Sequence, residues 1–348
     1  MTQAACQIVI RTRGSAQIGS GHIRRMAILA RHLHAQQYSV VLICNTGALS
    51  VFPPARGSFD TIIEVDSEAQ SLAACAALDG TVGAVFFDDY ALEATDHAAY
   101  RAFTTVLAGI DDMADRPLDW DLLFDINLGR GLADYADYIG TETAAFFGAD
   151  YQIIQPAFFD LQPHSLARDR WPIKRVFISL GGTDPFNLTV PILAATYDAL
   201  PTCHIDIVAG SVSPHFPALA TYVATLDPRA TLHADAQNVP HLMAAADLAI
   251  GAGGTMTWER NVLGLPSVLL VIADNQYQVG VAMRDADAAI VIDLRDAYCE
   301  NLLKDALKQL ADAPERLAEL SRNARNLGGA NGAENIAKAL HRQITESI

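Results

Sequence analysis

Ile8-Val9-Ile10-Arg11-Thr12-Arg13-Gly14-Ser15-Ala16-Gln17-Ile18-Gly19-Ser20-Gly21-His22-Ile23-Arg24-Arg25-Met26-Ala27-Ile28-Leu29-Ala30 passes from one hydrophobic period to another across a single loop. The apolar residues 8 to 10 read as a buried strand, whereas Ile23, Met26, Ala27, Leu29 and Ala30 recur at helical spacing. Gly14, Gly19 and Gly21 lie between them and permit a tight turn and a close approach of backbone to a ligand. Ser20 reads as an N-cap, which places His22 in the first helical turn. The helix dipole disfavours a cation there, so the ring suits a general base. Open α/β folds place their chemistry at the carboxyl ends of strands, where this histidine falls. A histidine that only hydrogen-bonds at a helix start fits the same stretch equally well.

The strand-to-helix alternation continues outward from this unit. Residues 40–44, 62–65, 84–87, 106–110 and 121–124 read as strands, and 22–36, 67–78 and 91–104 as helices. Strands spaced by helices imply a parallel, doubly wound sheet. Residues 158–174 lack a clear period and contain Pro163 and Pro172, so they read as a linker. The alternation restarts at 175–180 and continues through strands at 204–209, 230–233, 248–251, 267–272 and 288–292, with two or three helices closing the chain from Asp296. The expectation is an α/β protein of two doubly wound, Rossmann-like domains, residues 1–160 and 174–348. A ligand cleft is expected between their strand ends, and the last helix is able to pack back on the first domain.

Composition narrows the function classes. The chain has 348 residues, about two domains' worth, and a formal charge of −16, which argues against nucleic acid or an anionic membrane as a partner. An anionic small ligand remains compatible, because backbone amides bind phosphate whatever the net charge. Cys6, Cys44, Cys75, Cys203 and Cys299 are scattered without a C-x-x-C pair, so neither a disulfide framework nor a metal site is expected. The longest apolar run, residues 262–273, is interrupted by Gly264 and Pro266 and is too short for a bilayer span. No signal segment is read at the start of the sequence, and a cytoplasmic location without cofactor is expected.

The second half carries Ala249-Ile250-Gly251-Ala252-Gly253-Gly254-Thr255-Met256-Thr257-Trp258-Glu259-Arg260, a strand that ends in glycines with a helix starting near Thr255. The amides of that first turn, around Gly253, Gly254, Thr255 and Met256, would make a diphosphate site without a lysine. Glu259, one turn further, suits a ribose diol. A corner kept small for packing would look the same. Ser179-Leu180-Gly181-Gly182-Thr183-Asp184-Pro185 repeats the pattern, and Asn275-Gln276 follows another strand, where their amides suit sugar hydroxyls or plain turn chemistry. In the first half, Asp88-Asp89-Tyr90 ends a strand and would present two carboxylates and a phenol, one carboxylate orienting His22. Asp111 and Asp112 read as caps of a following helix.

Taken together these residues resemble the UDP-2,4-diacetamido-2,4,6-trideoxy-β-L-altropyranose hydrolases of pseudaminic acid biosynthesis. The resemblance runs through Ile10-Arg11, Gly19-Ser20-Gly21-His22, Arg25, Asp88, Tyr90, Ile110-Asp111-Asp112, Gly181-Gly182-Thr183-Asp184-Pro185, Gly253-Gly254, Trp258-Glu259, Leu263-Gly264-Leu265-Pro266 and Asn275-Gln276. It implies a glycosyltransferase-B fold and a metal-independent hydrolase that removes UDP from a 6-deoxy diacetamido sugar; a single displacement by water deprotonated by the histidine would invert the anomeric centre. On that pattern His22 is the base. Tyr90 and Asn275 are substrate-side residues on that pattern, and Glu259 is a uridine-ribose ligand. The reading of the strand ends and glycine corners adds Arg11, Gly21, Asp88 and Gln276 on the substrate side, and Gly181, Gly182, Gly253, Gly254, Thr255 and Met256 around the nucleotide. The chain departs from the pattern at Arg13, where the family has an acidic residue, at Asp89, where it has histidine, and at Gln155, where it has arginine. A UDP-sugar transferase and a non-catalytic nucleotide-sugar binder are the alternatives.

Overall fold

The computed structural model describes residues 6–15, 18 and 21–347. Gly19 and the expected N-cap Ser20 lie outside the described residues. The chain forms two units, Met1–Ile154 with Ala330–Ile348, and Gln155–Gly329.

Unit 1 runs β1 (Gln7–Thr12), α1 (Gly21–Ala35), β2 (Ser39–Asn45), β3 (Thr61–Val65), α2 (Glu68–Ala76), β4 (Val82–Asp88), α3 (Ala94–Ala99), β5 (Leu107–Ile110), β6 (Leu122–Asp125) and β7 (Ala144–Phe147). The strands make a seven-stranded sheet in the order β3-β2-β1-β4-β5-β6-β7, parallel throughout. Parallel strands are covered on both faces and therefore read as continuous apolar runs. One face packs on Ile23, Met26, Leu29 and Leu33 of α1; on the other, Phe87 of β4 clusters with Tyr100, Trp120 and Tyr135. Two readings change here. The helix expected over 91–104 is only α3 followed by a single 3₁₀ turn at Tyr100–Ala102. Residues 144–147 form a seventh strand that its short, half-exposed Ala-Ala-Phe-Phe pattern did not announce.

Unit 2 begins with α4 (Pro156–Leu166) and continues through β8 (Arg175–Ser179), α5 (Thr189–Ala199), β9 (His204–Ala209), α6 (Phe216–Thr225), β10 (Ala230–Ala234), α7 (Val239–Ala245), β11 (Leu248–Ala252), α8 (Met256–Val262), β12 (Ser267–Val271), α9 (Tyr277–Asp285), β13 (Ile290–Asp293), α10 (Glu300–Asp312) and α11 (Pro314–Asn326). Its six parallel strands take the order β10-β9-β8-β11-β12-β13. The first half of the residues expected as a linker, 158–166, is thus helical. Pro156 starts α4 where its missing N–H costs nothing, and Pro163 lies within its length. Ser165 Oγ donates to the Leu263 carbonyl at 2.9 Å and fixes α4 to the end of α8.

The last helix, α12 (Gly332–Glu346), returns to unit 1. Ile336, Ala337, Leu340 and Ile344 join the core around α1. Asp150 holds its start, accepting from the Ala330 amide at 3.0 Å while its carbonyl accepts from Asn335 at 2.8 Å. Gly332 abuts the backbone of Tyr151 and Gln152 so closely that a Cβ would collide with main chain. Among the described residues no helix is long and apolar enough to cross a membrane.

Two stability predictions follow from these contacts. Gly332→Ala must displace α12 from the 151–152 backbone, at roughly 1–3 kcal/mol, and a denaturant midpoint equal to the parent's would refute that packing. The second concerns Tyr135, whose hydroxyl lies 2.8 Å from Asp125 Oδ2 and 3.0 Å from Asp111 Oδ2. One hydroxyl proton serves two buried carboxylates. Burial, only partly offset by the Asn127 amide and Tyr135, pushes the Asp125 carboxyl from 3.8 up to about 6. A value raised in the folded state means that folding takes up a proton. The associated stability is complete below the unfolded value and is lost as pH rises through 6. Asp125→Asn should therefore be more stable than the parent above that pH, by up to roughly 3 kcal/mol, and melt correspondingly higher, the gain fading toward pH 4. Parallel Tm-versus-pH curves for the two proteins would contradict it.

Candidate functional site

In unit 1 the strand order reverses between β1 and β4. β1 leads through α1 to β2 on one side, while β4 leads to β5 on the other. Connections that diverge in this way leave the two strand ends uncovered, which is where open α/β sheets bind ligands. Thr12, at the end of β1, is in register with Asp88, at the end of β4, and its hydroxyl donates to the Asp88 carbonyl at 3.0 Å. The first turns of α1 carry His22 and, three residues on and on the same face, Arg25.

The three side chains converge. His22 Nδ1 lies 2.7 Å from Asp88 Oδ1, and Arg25 Nε donates to Asp88 Oδ2 at 2.7 Å. Arg25 Nη2 donates to Asp88 Oδ1 as well and to the Tyr90 hydroxyl at 2.9 Å. Tyr90 in turn donates to Asp112 Oδ2 at 2.7 Å, and its ring meets that of His22 edge-on with centroids 4.8 Å apart. Asp88 is 0% exposed. Burial alone would raise its carboxyl, but the Arg25 guanidinium and, after it, His22 hold it well below the usual carboxylate range. Burial, opposed by Arg25 and reinforced by Asp112 and Asp88, pushes the Tyr90 phenol well up. Tyr90 therefore remains a proton donor.

This arrangement selects a tautomer. An ionised Asp88 only accepts, so the 2.7 Å contact requires the proton on Nδ1 of His22. In the neutral ring the lone pair then resides on Nε2. Arg25 Nη2 also lies 3.1 Å from Nδ1 of His22; with that nitrogen protonated, its hydrogens go to Asp88 and Tyr90, and the guanidinium keeps the carboxylate ionised.

The structure brings His22, Asp88 and Tyr90 together and adds Arg25, for which the sequence reading has no role, and Asp112, which it reads as a helix cap. Arg25 has a sequence signal, its three-residue spacing from His22. The signal for Asp112 was misread: no helix follows Asp111 and Asp112. Asp111 braces the loop by accepting from the Met113 and Ala114 amides at 3.2 and 2.8 Å, while Asp112 receives Tyr90. Asp89, the residue just past β4, does not join Asp88: the alternation of the strand carries its side chain to the other face. It pairs instead with Arg13 at 2.8 Å and Arg11 at 3.4 Å. Arg11 is buried and donates to Glu68 at 2.9 Å and to the Thr12 carbonyl at 3.0 Å, away from the His22 cluster. Gly21 opens α1, with open space where a Cβ would stand.

In unit 2 the order reverses between β8 and β11, where Ser179 is in register with Gly251. Both strands run into glycine corners. Gly181 has φ 92°, a left-handed conformation that favours glycine, and the Gly182 carbonyl is packed against Gly210. Asp184 accepts from the Leu188 and Thr189 amides, each at 2.9 Å, and so orders the start of α5. In the β11 corner Gly254 and Thr255 are exposed, and Met256 and Glu259 are half-buried in the first turns of α8. The Gly253 amide is directed into the fold, toward the Leu270 carbonyl at 3.1 Å and Gln276 Oε1 at 3.3 Å. Gln276 Oε1 also accepts from the Ile272 amide at 3.2 Å, so this side chain ties β11 to the end of β12. Asn275 is exposed on the turn after β12. Among the described residues no group of metal-ligating side chains is assembled.

Comparisons with known proteins agree with this architecture. Residues 215–340 match the model of the glycosyltransferase family 28 C-terminal domain. The chain is 28% identical to the spore coat polysaccharide biosynthesis protein SpsG of Bacillus subtilis over 61% of its own length, and spans only 62% of that relative. It is 25% identical to the UDP-2,4-diacetamido-2,4,6-trideoxy-beta-L-altropyranose hydrolase of Campylobacter jejuni, over 74% of this chain and 88% of the relative. The crystal structure of Acinetobacter baumannii MurG superposes with a TM-score of 0.69 at 13% identity, covering 97% of this chain and 99% of the other. The chain thus has a glycosyltransferase-B-like fold of two parallel-sheet α/β units, and it is similar in sequence to the diacetamido-trideoxy-altropyranose hydrolase.

Proposed function

We propose that the protein hydrolyses a UDP-linked 2,4-diacetamido-2,4,6-trideoxyhexose to UDP and the free sugar, with inversion at the anomeric carbon and without a metal. The observation that carries this reading is the 2.7 Å contact between His22 Nδ1 and the buried Asp88 carboxylate. That contact leaves Nε2 as the basic nitrogen, which is what deprotonating a water requires. The similarity to the Campylobacter jejuni hydrolase supplies the substrate class.

In this reaction Nε2 of His22 takes a proton from water as the water oxygen bonds to the anomeric carbon. The bond from that carbon to the β-phosphate oxygen breaks, and its electron pair leaves with UDP. Amides at the Gly181-Gly182 and Gly254-Thr255-Met256 corners take up the charge on the diphosphate, so no strong general acid is needed on that side. Glu259 accepts from the ribose, and Tyr90 and Asn275 meet the sugar. Asp88 and Arg25 are positioning residues that fix the tautomer and orientation of His22. Gly253, Gln276 and Arg11 act at one remove, since their polar groups hold the strand ends in place. The match of residues 215–340 to a glycosyltransferase domain favours one other reading, in which an acceptor hydroxyl replaces water.

An NMR time course with the UDP-diacetamido-trideoxyhexose and no acceptor separates the two. Hydrolysis yields UDP and a single inverted anomer first, whereas an intact substrate that turns over only when an acceptor is added establishes the transferase. His22→Asn is expected to lower kcat by roughly 10²–10⁴ while UDP affinity is unchanged, and near-normal turnover would remove His22 from the base role. Asp88→Asn should lower kcat with KM nearly constant, because it alters the tautomer rather than the binding groups. A change in KM alone would assign Asp88 to binding.

A further inference from the structure

Arg260, in α8, is 0% exposed, and among the described residues its side-chain hydrogen bonds go to a carbonyl and a hydroxyl, not to a carboxylate. Its Nη2 donates to the Ala252 carbonyl at 3.2 Å and to Thr257 Oγ1 at 2.9 Å, but Nε and Nη1 have no hydrogen-bond partner. Burial lowers the guanidinium to about 10, with Glu259 opposing, so it still carries its charge at neutral pH. A buried cation with unfilled donors is costly, and folds seldom keep one without a compensating anion.

Arg170 shows what a purely structural arginine looks like in the same unit. It too is buried and lowered to about 10, yet its Nη1 donates to the Ala246 carbonyl and its Nη2 to Ser165 and the Leu263 carbonyl. In Arg260 only Nη2 is satisfied in this way. Its location is also different. Nη1 packs on Gly251 so tightly that a Cβ there would collide with it, and the Ser179 carbonyl borders the same spot. Gly251 and Ser179 are register partners on β11 and β8, the two strands that run into the glycine corners. The guanidinium therefore sits beneath the point where both corners begin, next to the peptide of Ala252 that leads into Gly253-Gly254.

We infer that Arg260 is the counter-charge of a diphosphate held over the two glycine corners, acting through the backbone from below rather than touching the ligand. The inference rests on the reading of unit 2 as the UDP-binding unit and extends it. In a water-poor surrounding a cation one layer beneath an anion is weakly screened. It would strengthen UDP binding and accept part of the charge that develops as the sugar–phosphate bond breaks. Gly251 is required because any side chain there would displace the guanidinium from the strand ends.

The test is a calorimetric titration of the full chain and of Arg260→Met, Arg260→Gln and Arg260→Lys with UDP, inorganic pyrophosphate and uridine, alongside ligand-free melting curves. Arg260→Met should lose at least about tenfold more affinity for UDP and pyrophosphate than for uridine, and Arg260→Lys should recover part of that loss. Without ligand, Arg260→Met should melt no lower than the parent, while its UDP-induced rise in Tm shrinks. If Arg260→Met does not fold, Arg260→Gln carries the same comparison. Equal loss for UDP and uridine, or no loss, overturns the inference and leaves the UDP reading intact. A parent chain that binds none of the three ligands overturns both.

Discussion

Asp88 is a carboxylate stripped of water at the end of β4, and unit 1 is arranged around that cost. Left alone, such a group would take up a proton or unfold the strand end. It stays ionised because α1 begins where it can deliver two partners: Arg25 with two nitrogens, and His22 with one at 2.7 Å. α1 begins there because β1 and β4 are neighbours whose onward connections diverge, so the first turn of α1 stands over the Thr12–Asp88 pair. The polarity of the histidine, the ionisation of the carboxylate and the course of the chain are thus one constraint seen at three scales. Tyr90 and Asp112 extend it, since a phenol between a guanidinium and a carboxylate has its hydrogen assigned by both.

Unit 2 repeats the topology and resolves it with the opposite charge. Its reversal, between β8 and β11, carries no carboxylate at the register pair Ser179–Gly251. Small residues let the chain turn sharply at both strand ends, and the buried charge beneath them is the cation Arg260. One doubly wound plan therefore supports a histidine held by a buried anion in unit 1, and a pair of glycine corners with a buried cation packed against them in unit 2. Neither arrangement is dictated by the plan itself. Each depends on which side chain the first turns of the following helix send inward.

That dependence explains what could be read from sequence and what could not. The parallel sheets were legible because strands buried on both faces are nearly unbroken apolar runs, as in 40–44 and 267–271. His22 was legible because glycines and an abrupt change of period bracket it. α4 was not, because Pro163 inside it and the charged residues after it imitate a loop. β7 was missed because an edge strand needs only one covered side and Ala-Ala-Phe-Phe has no β-branched residue. Arg25 and Arg260 were passed over for a shared reason: a charge within a helical pattern reads as its solvent face, and only tertiary packing turns it inward. Asp89, one residue past the end of β4, turns to the face of the sheet opposite Asp88 and meets Arg13 and Arg11 instead of His22.

The departures from the hydrolase pattern are the point at which sequence and structure say different things. Read one position at a time, Arg13 and Asp89 are two unrelated losses, an acid replaced by a base and a histidine by an acid. In the fold they are 2.8 Å apart, with Arg11 closing on the same carboxylate at 3.4 Å. A basic residue at 13 facing an acidic one at 89 is a matched exchange, in which each change supplies the partner the other needs. Asp89 is nearly inaccessible to water, so an uncharged residue at 13 would leave it with less compensation for its burial. The pair also lies on the side of the strand end opposite to Asp88 and His22, because residues 88 and 89 point to opposite faces. The two departures therefore alter the support beneath the β1 and β4 ends without entering the Asp88–His22–Arg25 cluster, and the geometry that makes Nε2 of His22 basic does not depend on them.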